Sequence, residues 1–263
     1  MNQNLFYGWL IGVFIILLTS PIGSLIVWKR MSFLGDSLSH ASILGVSLSY
    51  IININHLFMN FILMLIFLFI IIITEKYFHI RLDAIVSILT NISLSLGSIF
   101  LNVVSKEKKI DIPHYLFGDL FHMSVYDVIK VFLISFTILI ILSFFWEKFL
   151  LIILNQEFAQ LQGINVFFMN FILMLIISCS ICFAMNFFGI LLMTSFLIIP
   201  VSISQRFSSS PENSILISII ISLISFTCSI FISYYYNFFI SSVIILTLSI
   251  FFLISLFFNN KKN

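Results

Sequence analysis

The two side chains best suited to chemistry in this chain are Asp36 and His40, which lie four residues apart. If this stretch is helical, both project from the same face of the helix. Apolar sequence follows through Ile54, so the pair is predicted to lie at or inside a membrane span, where ionisable groups are costly and usually line a path or cavity. A carboxylate oxygen and an imidazole nitrogen are also natural ligands for a divalent transition metal. The spacing therefore favours a membrane protein that handles a metal ion.

Each of these residues also has a purely structural interpretation. Asp36 precedes an apolar run and is therefore a candidate helix cap, and His40 is a candidate hydrogen-bonded packing residue. Two ligands are too few for a closed zinc site, which takes four, although a transporter needs a site that the ion can leave. From the spacing alone, both interpretations stay open.

The composition is that of a multi-pass membrane protein. Only 8% of the 263 residues are charged and the mean hydropathy is +1.22, so the chain has too few charges to cover a soluble domain. Several apolar runs approach or exceed the roughly 18–20 residues that cross a bilayer. The net charge of +2 does not indicate nucleic-acid binding. We predict one all-α transmembrane domain over residues 1–263 with about nine spans, eight being the alternative count, at 5–27, 37–54, 57–74, 84–104, 128–146, 166–185, 187–205, 214–233 and 238–258.

The distribution of Lys and Arg predicts the orientation of these spans. With nine spans, the loops after spans 1, 3, 5 and 7 share a side with the C-terminus, and that side carries eight of the twelve cations. We therefore expect the N-terminus outside and the C-terminus in the cytoplasm. The other four cations lie on the opposite side together with four acidic residues, which weakens their effect.

The longest break between spans, residues 106–127, is predicted to lie outside. It contains His114, Asp119 and His122, which are candidates for an external relay of metal ligands. Ordinary polar loop residues are the alternative interpretation.

A second polar segment, residues 155–163, follows the fifth span. It is compatible with a short helix that Gly163 ends, and the predicted orientation places it in the cytoplasm. A membrane subunit needs a short helix of this kind if a soluble partner is to push on it.

Motifs that would supply catalysis are missing from the sequence. It contains no phosphate-binding loop of the form GxxxxGK[ST], no HExxH and no GxSxG. We therefore expect no enzymatic activity, and in particular no ATP hydrolysis by a phosphate loop.

Residues 21–45, PIGSLIVWKRMSFLGDSLSHASILG, resemble the N-terminal signature of permease subunits of zinc and manganese ABC importers. The segment is most similar to the zinc-uptake permeases of the Znu type. Residues 115–120 (YLFGDL), residues 191–200 (LLMTSFLIIP) and the pair Ala159 and Gly163 also resemble family segments. The resemblance covers almost the whole chain in order and in length.

The resemblance implies an ABC importer permease fold and a homodimer in the bacterial inner membrane. It further implies a separate cytoplasmic ATPase, an extracytoplasmic metal-binding protein, and Zn²⁺ as the transported substrate with no permanently bound cofactor. Asp36 and His40 would then lie on the ion path. The residues that would contact the ATPase are Phe158, Ala159, Leu161 and Gly163.

Three alternatives remain at this point. Manganese or iron is a possible substrate in place of zinc, since zinc and manganese both accept histidine and carboxylate ligands. Permeases for cobalamin or iron chelates are related, but they are usually longer, with ten spans, and have less need of an ionisable pair. A stand-alone metal channel or secondary transporter would need no ATPase.

Overall fold

The computed structural model describes residues 3–78, 82–105, 117–118, 120 and 123–258, and within these ranges the chain forms ten α-helices and no β-strand. The predicted all-α fold is therefore confirmed. The helices are α1 (Gln3–Trp28), α2 (Ser32–Ile52), α3 (His56–Phe78), α4 (Leu82–Ser105), α5 (Val125–Leu154), α6 (Gln156–Leu161), α7 (Val166–Phe188), α8 (Ile190–Phe207), α9 (Pro211–Tyr236) and α10 (Ile240–Phe258).

Eight of these helices are long and apolar enough to cross a membrane, and α2 and α6 are the two that are not. The helix α6 has only six residues. By contrast α2 has 21 residues, but it contains Asp36, His40 and six serines, and these polar groups lower its apolar character. The described residues thus have eight spans by composition and nine long helices. Each long helix corresponds to one predicted span, although the spans predicted at 37–54, 187–205 and 238–258 extend two or three residues past one end of their helices.

One end of the bundle, the Gly8 end, contains the start of α1. A side chain at Gly8 would collide with the backbone carbonyl of Leu120, so α1 and the residues before α5 meet closely here. The end of α7 and the start of α10 also meet at this end, since Ser241 donates a hydrogen bond to the carbonyl oxygens of Phe117 and Phe188.

The helix α1 ends at the other end of the bundle, which we call the Trp28 end. The indole of Trp28 packs against that of Trp146 in α5, with ring centroids 6.2 Å apart. The Lys29 ammonium donates a hydrogen bond of 2.8 Å to the side-chain oxygen of Asn170 near the start of α7. The nine long helices alternate in direction between the two ends, because α1, α3, α5, α8 and α10 all finish at the Trp28 end.

The helix α5 is longer than predicted. Its 30 residues span about 45 Å at 1.5 Å per residue, whereas the hydrocarbon core of a bilayer is about 30 Å thick. It continues to Leu154, beyond the level of Trp146, and α6 follows directly after Asn155. The last turns of α5 therefore carry α6 clear of the apolar part of the bundle.

Serines bring several helices close together. One face of α9 is a row of buried serines, and small residues of this kind let membrane helices approach one another. Hydroxyls of this row hydrogen-bond to Thr247 of α10 at 2.7 and 2.8 Å and to Ser204 of α8 at 2.9 Å. The buried serines of the row are Ser214, Ser218, Ser222, Ser225, Ser229 and Ser233.

Candidate metal site

The helix α2 begins earlier than the sequence pattern predicted, because the chain turns sharply after α1. Arg30 adopts the left-handed conformation with φ of 58°. The Met31 amide donates to the Ile26 carbonyl at 2.9 Å, and the Arg30 amide donates to the Val27 carbonyl at 3.0 Å. This is the hydrogen-bond pattern of a Schellman motif, here with arginine in the position that glycine usually takes. It allows α2 to start at Ser32.

The early start places Asp36 one turn inside α2. The N-cap residue is Met31, and no side chain caps the helix. The capping interpretation of Asp36 is therefore wrong. A cap accepts hydrogen bonds from the amides of the first helical turn, and those amides precede Asp36 in the chain.

Asp36 and His40 form a pair along the helix. The Nε2 of His40 lies 3.3 Å from the Oδ1 of Asp36, and the two side chains are 21% and 47% exposed respectively. The Nδ1 of His40 is buried and has no hydrogen-bond partner. As a packing residue the imidazole would therefore be only half satisfied, which is an unfavourable state for a buried polar atom.

The rest of α2 is held closely by its neighbours. A side chain at Gly45 would collide with Asn60 of α3, and one at Gly97 of α4 would come within 3.0 Å of the Leu44 amide of α2. The Ser37 hydroxyl donates to the Val86 carbonyl of α4 at 3.2 Å. These contacts fix the rotation of α2 about its axis.

This rotation leaves one narrow face of α2 partly exposed. Between residues 33 and 46, every residue is buried except Phe33, Asp36, His40 and Ile43. Their spacings of three, four and three residues place them on one side of the helix. The carboxylate and the imidazole thus lie on the one face of this part of α2 that its own chain covers only in part.

The arrangement supplies two metal donors and no more. The described residues contain no group of three or more His, Cys, Asp and Glu side chains that could hold a metal ion. Within the part of the chain that the structure describes, Asp36 and His40 therefore offer an ion a pair of ligands rather than the four of a closed zinc site. The predicted relay of His114, Asp119 and His122 lies outside the described residues.

Sequence reasoning did not single out the contact between Tyr50 and His56. Their rings stack with centroids 5.7 Å apart, joining the end of α2 to the start of α3. Tyr50 is ten residues beyond His40, which corresponds to about 15 Å along a helix. The only signal in the sequence was a histidine in a very short connection between two apolar segments.

The short helix α6 has well-defined ends, as the sequence predicted. The Asn155 side chain accepts a hydrogen bond of 3.0 Å from the Phe158 amide. At the other end, Gly163 has φ of 79°, and the Ile164 amide donates to the Ala159 carbonyl at 3.1 Å. Gly163 thus closes a second Schellman motif.

The faces of α6 differ in exposure. Phe158 is 50% exposed and Leu161 is 86% exposed, whereas Ala159 is fully buried. We expected Ala159 to lie on a flank open to a partner, but its side chain packs into its own chain and therefore anchors the helix. Gly163 is open, since a side chain there would meet nothing within 4 Å.

Comparison with known proteins gives concordant results. The model of a family described as ABC 3 transport family matches residues 1–259. The chain is 43% identical over 263 residues to the high-affinity zinc uptake system membrane protein ZnuB of Buchnera aphidicola subsp. Acyrthosiphon pisum, covering 100% of this chain and 99% of that protein. It is 27% identical over 246 residues to the manganese import system permease protein ScaB of Streptococcus parasanguinis, covering 94% and 87% of the two chains.

A solved structure has a similar fold. It is described as PsaBC from Streptococcus pneumoniae in complex with Fab, and the match has a TM-score of 0.86 with 26% sequence identity. It covers 98% of this chain and 93% of the other. The arrangement of helices described above is therefore that of a known membrane protein over nearly its whole length.

Proposed function

The chain belongs to the ABC 3 transport family, and we propose that it is the membrane-spanning permease subunit of a high-affinity importer for zinc. In this proposal an extracytoplasmic binding protein delivers the ion, and a separate ATPase subunit supplies the energy. The observation that carries the proposal is the partly exposed face of α2, which presents Asp36 and His40.

This face requires a covering other than lipid. Charged and polar side chains are costly against hydrocarbon and face a protein partner or a water-filled cavity instead. A second copy of the chain, related by two-fold symmetry, would bring the same face of its own α2 opposite the first. Two imidazoles and two carboxylates then supply four donors, the number that zinc takes in a tetrahedral site.

Zinc is the substrate that we propose on two grounds. Imidazole and carboxylate suit zinc, and the zinc-uptake relative is 43% identical whereas the manganese relative is 27% identical. Manganese is the second candidate, because that relative also covers 94% of this chain and because manganese accepts the same ligand types.

The proposed contact with the ATPase is α6. A partner shifts a conformational equilibrium only if it interacts differently with the two states, so a permease without a nucleotide site needs an exposed contact that moves with its helices. Phe158 and Leu161 are exposed, three residues apart, on a short helix that the single residue Asn155 joins to α5. In this proposal the Trp28 end of the bundle faces the cytoplasm of a bacterial inner membrane, which agrees with the excess of Lys and Arg predicted for that side.

The test is zinc uptake by cells in which the variant chain replaces the original. His40→Ala and Asp36→Asn should each reduce the initial rate at least tenfold, because the first removes a metal donor and the second removes the negative charge of the other donor. The amount of membrane-inserted protein should stay near that of the original chain. Ile43→Val is the matched control, since Ile43 lies on the same face and offers no donor. It should transport normally.

Two outcomes would contradict the proposal. Full uptake by His40→Ala would show that the pair of Asp36 and His40 does not lie on the ion path. A fall in protein amount equal to the fall in uptake would assign His40 to packing. Parallel measurements with ⁵⁴Mn²⁺ and ⁶⁵Zn²⁺ decide between the two candidate substrates.

A further inference from the structure

The helix α4 is polar on the side that faces away from the rest of the chain. Five exposed residues, spaced four, four, three and four positions apart, form what we call the polar stripe. At about 100° per residue, this stripe lies nearly opposite the buried side of α4, which includes Val86, Ser93 and Gly97. The residues of the polar stripe are Ser87, Asn91, Ser95, Ser98 and Asn102.

Hydrocarbon is an unfavourable covering for this stripe. The helix is a candidate membrane span over Ala84–Val104, and Asn91 and Ser95 lie near the middle of that range. A serine can bond to its own helix, as the Ser98 hydroxyl does by donating to the Ser95 carbonyl at 2.9 Å. An asparagine amide has two donors and an acceptor, and polar groups of this kind join membrane helices to one another. The stripe therefore indicates contact with another helix.

A neighbouring stripe on α4 has the opposite character. It is also exposed and has the same spacings of four, four, three and four positions, but every residue in it is aliphatic. The helix thus has two exposed sides, one suited to lipid and one that is not. The residues of this second stripe, the apolar stripe, are Ile88, Ile92, Leu96, Ile99 and Val103.

The helix α4 borders the face of α2 that carries Asp36 and His40. The Ser37 hydroxyl, next to Asp36, donates to the Val86 carbonyl at 3.2 Å. A side chain at Gly97 would meet Ile43 at 3.2 Å, and Ile43 belongs to that same face of α2. A protein that covers this face of α2 therefore also reaches α4.

We propose that the polar stripe of α4 contacts the polar stripe of a second copy of this chain. The proposal rests on the proposed importer for that second copy, which is placed opposite Asp36 and His40. In a two-fold interface a surface pairs with itself. Amides and hydroxyls are suited to this, because each group both donates and accepts hydrogen bonds, whereas a stripe of like charges would repel its own copy.

The contact can be tested by disulfide cross-linking of the full chain. Single cysteines are placed at each position of the polar stripe and of the apolar stripe, in a background without the native cysteines at 179, 182 and 228. The purified chain is studied in liposomes at low density, so that another copy is its only protein partner. Where the two α4 helices cross, equal positions approach each other, so the best polar position should give at least tenfold more cross-linked dimer than any apolar position.

A second measurement gives the strength of the contact. Asn91→Leu should lower the dimerisation constant about threefold to thirtyfold, the range expected for interhelical hydrogen bonds in a membrane, as measured by single-molecule photobleaching over a range of protein densities. Its thermal unfolding should match that of the original chain, since Asn91 is exposed. Ile92→Leu, on the apolar stripe, is the matched control and should leave the constant unchanged.

Four results would overturn the proposal. Equal cross-linking on the two stripes would assign the dimers to random collision. A polar stripe that does not cross-link but reacts rapidly with a hydrophilic thiol reagent would line a water-filled cavity, and one that does neither would face lipid. An unchanged dimerisation constant in Asn91→Leu would show that the stripe does not hold the copies together. Zinc uptake by the His40→Ala variant is measured separately, so these results leave the proposed transport function standing or falling on its own test.

Discussion

Replacement of Gly163 separates two explanations for a glycine at the end of α6. In the first, glycine is there because the backbone is left-handed, with φ of 79°. In the second, it is there because a partner subunit approaches closely. The structure favours the first, since a side chain at this position meets nothing of its own chain within 4 Å and the Schellman hydrogen bonds depend on the backbone conformation alone.

The size of the expected loss in affinity for the ATPase follows from the backbone conformation of Gly163. A non-glycine residue costs about 1–2 kcal/mol in the left-handed conformation, and asparagine is the exception that adopts it routinely. If α6 must keep its folded end to bind the ATPase, Gly163→Ala should weaken binding about fivefold to thirtyfold, since about 1.4 kcal/mol corresponds to a factor of ten. Gly163→Leu should cost the same as Gly163→Ala, because there is open space around the side chain. Gly163→Asn should cost the least.

The assay is the affinity of the ATPase subunit for the permease in nanodiscs, measured by surface plasmon resonance. Phe158→Asp serves as the reference for a lost contact, because it places a carboxylate on the exposed face of α6. The opposite order would refute the reasoning: if alanine is tolerated and both asparagine and leucine are not, the limit is the size of the side chain and a partner packs against Gly163. Binding by all three variants at the level of the original chain would show that the end of α6 takes no part in the contact with the ATPase.

Two further predictions test packing and orientation. Gly45→Ala should reduce the amount of membrane-inserted protein and lower its free energy of unfolding by about 1–3 kcal/mol, as expected for overpacking, because the added methyl group collides with Asn60 of α3. Gly35→Ala is the control and should be tolerated, since only the end of a leucine side chain lies near it, at 3.3 Å. Equal stability of the two variants in detergent would contradict this. In a background without native cysteines, His56→Cys should react with an impermeant thiol reagent in intact cells. Glu157→Cys should react only after permeabilisation, since the two positions lie at opposite ends of the bundle. The reverse pattern would invert the proposed orientation.

Much of the fold could be predicted from the sequence, because in a membrane the length of an apolar run and the need to satisfy the backbone internally both lead to a helix. Each predicted span matches one long helix, with three of the nine spans extending two or three residues past a helix end. The end of α6 was also predictable, since a glycine after a short polar helix is a local signal that needs no tertiary contact. The spacing of Asp36 and His40 was enough to place both on one face.

The tertiary structure decided which face that is and what surrounds it. The sequence left both capping and metal binding open for Asp36, and only the turn at Arg30, which starts α2 at Ser32, excluded the cap. The family resemblance placed Ala159 among the residues that would contact the ATPase, yet it is buried. The contact between Trp28 and Trp146 joins residues of α1 and α5 that are more than a hundred positions apart in the chain. Local sequence determines a helix and its ends, because both depend on hydrogen bonds between residues that are a few positions apart. The rotation of each helix about its axis depends on glycines and side chains of other helices, and no local sequence pattern contains that information.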